Sequence, residues 1–316
     1  MMGRQARGQE RLFYAFSLDE IVPADHLVRR IDAVLDTRWV DQELAPHYSS
    51  LGRPSIDPEL MIRMLVVGYV FAIRSERELC RDVQVNLAYR WFCSLGLEDS
   101  IPDHPVFSRA RSERFRDSDI VRSLFEHVVL SCIEAGLVGG QRFAVDASLI
   151  EADANKQRSI PGADWNRQRS LDTASRAVKD YVETLDDAAF GAASEVVAKF
   201  VSPSDPASQW TGAHKGPAFF AYADNYPIDT KHTVIVDVEA SRAIRRAEVG
   251  AARTMIERTE DRFGMKPGQL AGDTAYGAAP MLARLVKQKA IEPHILVFDK
   301  SARKMSSCSP QRLRTW

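Results

Sequence analysis

Apolar residues recur at helical spacing through the first 140 positions of the chain. The segment 57–59, Asp-Pro-Glu, is typical of a helix start, and the apolar positions after it predict a helix to about Ile73. Residues 75–78, Ser-Glu-Arg-Glu, form a capping box and predict a second helix to about Val85. Further helices are predicted over 87–95, from Pro105 and over 119–135. This half of the chain therefore predicts a helical domain over residues 1–140.

The pattern changes after the Gly139-Gly140 turn. From there on, short runs of apolar and β-branched residues, typical of strands, alternate with segments of helical spacing. A strand is predicted over 142–149, and the next clear strand follows only after a polar stretch, read as an insertion at about 151–230 that contains a helix over 171–190. The remaining predictions are strands over 233–239 and 243–249, a helix over 250–263, a strand before Asp273, a helix over 279–288 and a strand over 291–298. The fold class is therefore α+β, a helical bundle followed at residues 141–299 by an α/β domain with a mixed sheet.

Composition narrows the class of protein only slightly. The 316 residues suffice for two domains, and 45% hydrophobic and 27% charged residues with a formal net charge of −1 describe an ordinary globular protein. Such a charge balance neither favours nor excludes nucleic acid, because a basic face can be offset by acids elsewhere. The longest apolar run, 64–73, is too short to span a bilayer, and no secretory signal follows the N-terminus. We expect a cytoplasmic protein.

The cysteines indicate the redox environment. Cys80, Cys93, Cys132 and Cys308 have no CxxC spacing, and three of them lie among apolar residues of predicted helices. We therefore expect buried free thiols in a reducing cytosol rather than disulfides or a zinc site.

Two aspartates, about 130 residues apart, end apolar strands and are followed by small residues. These are Asp146 and Asp273, and small neighbours leave room for a substrate backbone and hydrated cations. Carboxylates suit Mg²⁺ or Mn²⁺, which prefer oxygen ligands. The alternative for either acid is a turn or a helix cap, which aspartate also favours. Asp224, Asp229 and Asp237 are weaker candidates, and Asp237 is expected to face solvent.

The strong bases of the predicted helical domain are all arginines. Four of them follow Pro105 closely, namely Arg109, Arg111, Arg114 and Arg116. Short helices joined by tight turns, with arginines that suit phosphates and guanine edges, favour a helix-turn-helix-like DNA-binding bundle. The alternative is that these arginines cover a solvated face or pair with Glu113 and Asp117.

Several motifs together resemble a known family. Residues 143–148, 231–248 and 271–277, with 86–92 and 102–109 in the helical half, resemble bacterial insertion-sequence transposases of the DDE type. The resemblance implies an RNase H-like domain in which Asp146 is the first metal-binding acid and Asp273, after the fourth strand, the second. It also implies two Mg²⁺ (or Mn²⁺) ions, binding to terminal inverted repeats and a target duplex, strand transfer by a freed 3′-hydroxyl, and a homodimer on DNA.

The sequence departs from this family after the last predicted strand. The family's third acid is a glutamate on a later helix, whereas residues 300–316 contain no acid and no helical apolar face. This tail is read as aberrant or frameshifted, which predicts a truncated transposase with impaired activity. Glu292 and Asp299 are the nearest substitutes for the third acid. A catalytically inactive DNA-binding remnant and a metal-dependent nuclease remain alternatives.

Overall fold

The computed structural model describes residues 16–48, 51, 55–115, 118–165, 179, 198–212 and 217–297. It divides into two compact units, Met1–Ser131 and Cys132–Trp316. The predicted boundary after residue 140 lies slightly later in the chain. The predicted helix over 171–190, apart from residue 179, and the tail 300–316 lie outside the described residues.

The first unit is helical throughout its described part. Its α-helices are α1 (Leu18–Ile21), α2 (Leu27–Asp32), α3 (Val40–Leu44), α4 (Pro58–Val70), α5 (Glu76–Val85), α6 (Leu87–Phe92), α7 (His104–Ala110) and α8 (Ile120–Glu134), the last of which continues past Ser131. A 3-10 turn, Ala45–His47, follows α3, and a π-helical turn, Arg111–Phe115, follows α7. The predicted helical bundle is confirmed.

Local capping explains where the two best-predicted helices begin. The Asp57 carboxylate accepts a hydrogen bond from the backbone amide of Leu60 at 2.9 Å and so satisfies a free amide in the first turn of α4. The Ser75 hydroxyl does the same for Glu78 at 3.4 Å in α5. The apolar side chains of these helices join one core, which includes Met61, Ile62, Met64, Val83, Phe92 and Phe107.

A mixed sheet forms the centre of the second unit. Its strands are β1 (Arg142–Glu151), β4 (Gln209–Gly212), β5 (Ala218–Asp229), β6 (Val234–Ile235), β7 (Glu239–Arg242), β8 (Gln269–Gly272) and β9 (Glu292–Ile295), while β2 (Ile160–Pro161) and β3 (Phe200–Val201) pair separately. β1 runs antiparallel to β5 and parallel to β8, and β8 is parallel to β9. β4, β6 and β7 all pair with β5. This topology confirms the predicted mixed sheet.

Two helical segments connect the later strands. α9 (Arg245–Phe263) leads from β7 to β8, and α10 (Ala279–Ala283), continued by the π-helical turn Arg284–Gln288, leads from β8 to β9. α9 ends at Gly264, whose φ of 63° is a left-handed conformation that glycine adopts without strain. Such helical crossovers are what parallel neighbours in a sheet require.

The structure corrects two predictions in this unit. Residues 218–229, assigned to the insertion, form β5, of which residues 221–229 pair with β1. The residues of β5 alternate between buried and half-buried positions, as in a strand. The sequence did not reveal this strand because β5 contains Asp, Asn and Pro, which are residue types depleted in strands. The strand predicted over 243–249 is wrong, because α9 begins at Arg245. The few apolar residues over 243–249 fit the spacing of a strand and that of a helix. In the structure Ala247 and Ala251, four residues apart, are both buried, which is the spacing of one helix face.

Candidate functional site

Of the two predicted catalytic aspartates, Asp146 lies in β1 and Asp273 directly follows β8, the neighbouring parallel strand. In the β1–β8 register, Val145 pairs with Gly272, so Asp146 and Asp273 are the next residues along each chain. Neighbouring strands are about 4.8 Å apart, so the two Cα atoms are separated by roughly one strand spacing. Both side chains are exposed. The fold thus brings together two acids that are far apart in sequence.

Each aspartate also has a local structural role. The Asp146 Oδ1 atom accepts a hydrogen bond from the amide of Ala147 at 2.8 Å. The Asp273 Oδ1 atom accepts one from the amide of Ala275 at 2.8 Å, as an aspartate at the start of a turn commonly does. Each of these two hydrogen bonds uses Oδ1, and the turn does not use Oδ2 of either carboxylate. A turn role and a ligand role are therefore compatible in these residues.

The sequence did not single out a third acid near this pair, and the structure provides one. Glu248 lies in the first turn of α9 and is half-buried. Burial raises the pKa of its carboxyl, the negative charge of Asp273 raises it further, and Asp146 adds to the shift while Arg245 opposes it. Glu248 is therefore within electrostatic reach of both aspartates. The strand wrongly predicted over 243–249 concealed this position.

Tyr276 lies within electrostatic range of the same three carboxylates, three residues after Asp273. Its side chain is 2% exposed, and within the described part of the chain its hydroxyl has no hydrogen-bond partner. Burial raises the pKa of this hydroxyl, and the charges of Glu248, Asp146 and Asp273, in that order, raise it further. A buried hydroxyl without a partner is uncommon in native proteins and calls for an explanation.

The chemical type of the side chains around Asp146 and Asp273 suits a hard divalent cation. Carboxylate oxygens are the ligands that Mg²⁺ and Mn²⁺ prefer. The Tyr276 hydroxyl is a further polar group nearby, and it has no hydrogen-bond partner among the described residues. As the side chains stand, no three Asp, Glu, His or Cys residues in the described ranges are close enough to hold an ion. Binding would therefore require rotation of the exposed carboxylates toward one another.

The weaker candidates have structural roles. Asp229 is 1% exposed and accepts hydrogen bonds from the amides of Gly139 at 3.0 Å and Gly140 at 2.7 Å, which fixes the turn before β1. Asp237 is also 1% exposed and is paired with Arg258, so the expectation that it faces solvent is wrong. Asp224 on β5 is half-buried, and burial raises the pKa of its carboxyl.

The proposed substitutes for the third acid do not join the pair. Glu292 begins β9 opposite Gln269, whose side-chain amide donates to it at 3.0 Å. Gln269 is four residues before Asp273, which places Glu292 about 13 Å from the aspartates along the strand direction. Asp299 lies outside the described residues.

The structure locates only part of the predicted DNA-binding arginine set. Arg109 is exposed on α7. Arg111 pairs with Glu76 at 2.9 Å and donates to the Tyr69 hydroxyl at 3.0 Å, so it is engaged within its own domain. Arg114 lies in the π-helical turn, and Arg116 lies outside the described residues. The DNA-binding role of these residues stays a prediction.

Three of the four cysteines lie in the described part of the chain. Cys80 and Cys93 are free and buried, whereas Cys132 is free but only half-buried, so the expected burial does not hold for it. Within the described ranges, no helix has both the length and the apolar character needed to cross a bilayer.

Comparison with known proteins gives a family match within the helical unit. Residues 16–113 match the family model described as Transposase domain (DUF772). No curated protein matches the chain. Among solved structures, a cryo-EM structure of a piggyBac transposase synaptic complex with hairpin DNA is similar at 10% identity and a TM-score of 0.34, over 90% of this chain and 52% of that one.

The chain thus spans about half the length of that piggyBac transposase chain, and a likeness at this score supports no further argument. The family match rests on the helical segment alone, where the capped helices α4 and α5 and their shared core lie. The predicted origin in a bacterial insertion sequence stays a prediction. Residues 16–113 therefore match a transposase domain model, and the resemblance to transposases drawn from the sequence is confirmed to that extent.

Proposed function

We propose that the chain is a DNA transposase of an insertion sequence, which cleaves DNA at terminal inverted repeats and joins the freed end to a target duplex. The observation that carries the proposal is the placement of Asp146 and Asp273 on neighbouring parallel strands of an RNase H-like sheet. That sheet follows a transposase domain in the same chain. The turn hydrogen bonds of Asp146 and Asp273 do not require the two exposed carboxylates to lie next to each other.

In this proposal, Asp146 and Asp273 hold the divalent cations at the place where the scissile phosphodiester binds. Bound Mg²⁺ or Mn²⁺ supplies activation of the attacking hydroxyl or water and stabilisation of the leaving oxygen. Ala147, next to Asp146, is small and leaves room for the DNA backbone beside that carboxylate, whereas the Tyr276 ring fills the space beside Gly272. In this proposal the carboxylates neutralise and orient the cations.

The helical domain is proposed to bind the element ends, with Arg109, Arg111, Arg114 and Arg116 among its contacts. Because Arg111 is already paired with Glu76, its contribution would require exchange of that ion pair for a phosphate. We further propose that the chain acts as a homodimer on DNA, so that two element ends are handled together.

The proposal is tested by an end-cleavage assay on DNA that carries the inverted repeats, with Mg²⁺ or Mn²⁺. We expect cleavage by the full chain and its loss in Asp146→Asn and Asp273→Asn, because each substitution removes a charged ligand while it keeps the side-chain shape. Asp261→Asn is the matched control, since Asp261 is exposed near the far end of α9. Its cleavage should equal that of the unchanged protein.

The outcomes separate the competing functions. Specific binding to repeat DNA without cleavage would overturn the enzymatic assignment and indicate a DNA-binding remnant. Cleavage of duplexes regardless of the repeat sequence would indicate a metal-dependent nuclease. Cleavage that survives in both aspartate variants would refute the assigned site.

DNA binding by the helical domain has its own test. Arg109→Ala should weaken binding to all duplexes and lower the slope of log affinity against log salt by about one if Arg109 contacts a phosphate. Arg38→Ala, which removes an exposed arginine of the same unit, is the control. Equal salt slopes for both variants and the unchanged protein would remove Arg109 from the interface.

A further inference from the structure

Glu248 occupies a position that the packing of α9 fixes closely. The helix lies against β5 and β7. Ala247, Ala251 and Ala252 are fully buried along it, and such small side chains allow the helix backbone to approach the sheet. Glu248 follows Ala247 directly and lies one turn before Ala251 and Ala252, which are its neighbours on the helix surface. A carboxylate is thus held in the half-buried layer between helix and sheet.

The location of this carboxylate is costly without a compensating positive charge. Asp146 and Asp273 both act on Glu248 through space and raise its pKa, in addition to the effect of burial. Three carboxylates that share one region repel one another, and a partly buried site screens that repulsion less than water does. Arg245 offsets only part of it. A site of this composition is suited to a cation.

Tyr276 gives an independent indication that something binds here. Its ring packs where Gly272 has no side chain, since a Cβ atom on Gly272 would lie 3.2 Å from the ring and 3.2 Å from Val145. The contact holds the ring close to the end of β8. Its 2%-exposed hydroxyl is nevertheless left without a hydrogen-bond partner among the described residues. An unsatisfied buried donor is destabilising, and a hydrogen bond to a rotated carboxylate would remove that cost.

We propose that Glu248 is the third carboxylate of the cation site formed by Asp146 and Asp273, and that the Tyr276 hydroxyl positions it by donating a hydrogen bond. This inference rests on the proposed function and assigns the remaining acid of the same site. The aspartates are exposed, so their side chains can turn toward Glu248 when the cation binds. Tyr276 is a positioning residue, whereas Glu248 touches the cation.

A purely structural role for Glu248 makes a different prediction. An acid in the first turn stabilises a helix through the partial positive charge of the helix N-terminus. In that case, removal of the charge would affect α9 equally with and without a divalent cation. A cation ligand, by contrast, changes the affinity for the cation itself.

The test measures Mn²⁺ binding to the full-length protein by electron paramagnetic resonance of the free ion. We expect Glu248→Gln to raise the Kd for Mn²⁺ at least about 10-fold, as loss of groups in or around metal sites commonly does. Glu248→Asp keeps the charge on a shorter side chain and should give a smaller increase. Tyr276→Phe removes only the hydroxyl and should also weaken binding. Asp261→Asn should leave the Kd unchanged.

The outcomes distinguish failure of this inference from failure of the proposed function. If Asp146→Asn and Asp273→Asn weaken Mn²⁺ binding but both Glu248 variants bind like the unchanged protein, the role of Glu248 is refuted and the aspartate site stands. If neither aspartate variant alters binding, the metal site of the proposed function fails as well. Thermal unfolding without Mn²⁺ shows whether each variant is folded, and a Glu248→Gln variant with lower stability but an unchanged Kd supports the helix-terminus role instead.

Discussion

The ion pair between Asp237 and Arg258 anchors α9 to the segment between β6 and β7. Asp237 is 1% exposed and accepts hydrogen bonds from Arg258 Nε at 2.8 Å and Nη2 at 3.1 Å. The same guanidinium donates to the carbonyl of Val238 at 2.9 Å and pairs with Glu239 at 2.7 Å. We predict that Asp237→Ala destabilises the α/β domain because it leaves this guanidinium without its most buried partner.

The size of the effect follows from the environment of the two partners. Removal of one member of a buried ion pair costs about 3–5 kcal/mol, because the other charge stays desolvated. The Arg258 side chain is 26% exposed and keeps Glu239 as a partner, so the lower end of this range, about 3 kcal/mol, is expected. An exposed pair of the same kind would contribute only about 0–1 kcal/mol.

Native-state hydrogen exchange of the α9 amides, together with denaturant unfolding of the full chain, measures this loss. Asp261→Ala on the same helix is the matched control and should change the unfolding free energy by no more than about 0.5 kcal/mol, since Asp261 is exposed. If Asp237→Ala exchanges and unfolds like the Asp261 variant, burial and geometry do not make this pair structural, and the reasoning is refuted.

Three further predictions concern other parts of the chain. Burial raises the pKa of Cys80 to about 11 and of Cys93 to about 12. Both thiols should therefore resist iodoacetamide at pH 8 in the folded protein and react quickly in denaturant. Rapid labelling of the folded protein, measured by peptide mass spectrometry, would contradict this. Asp57→Ala removes the cap of α4 and should cost about 1 kcal/mol in chemical unfolding, with Asp57→Asn, which retains a cap, close to the unchanged protein. Gly272→Ala should cost about 1–3 kcal/mol, because its Cβ would press on the Tyr276 ring; unchanged thermal stability would show that the ring moves freely.

Much of the helical domain is determined by short-range sequence signals. The Asp57 and Ser75 caps and the apolar positions after them act within a few residues, and the structure places α4 and α5 where these signals predict. The strand before Asp146 and the turn after Asp273 are equally local. For that reason the two aspartates could be chosen as candidates from sequence alone, and the residues that resemble a transposase could be recognised.

Only the tertiary structure decided which distant residues meet. β5 is a strand because β1 pairs with it, although its own polar residues disfavour that state. Asp237 is buried because Arg258, 21 positions later, turns back to it. Glu248 lies within electrostatic range of the aspartates because α9 packs on the sheet through small side chains, a placement that no local period encodes. Sequence thus determined the elements and two of the acids, whereas long-range packing determined the site around them.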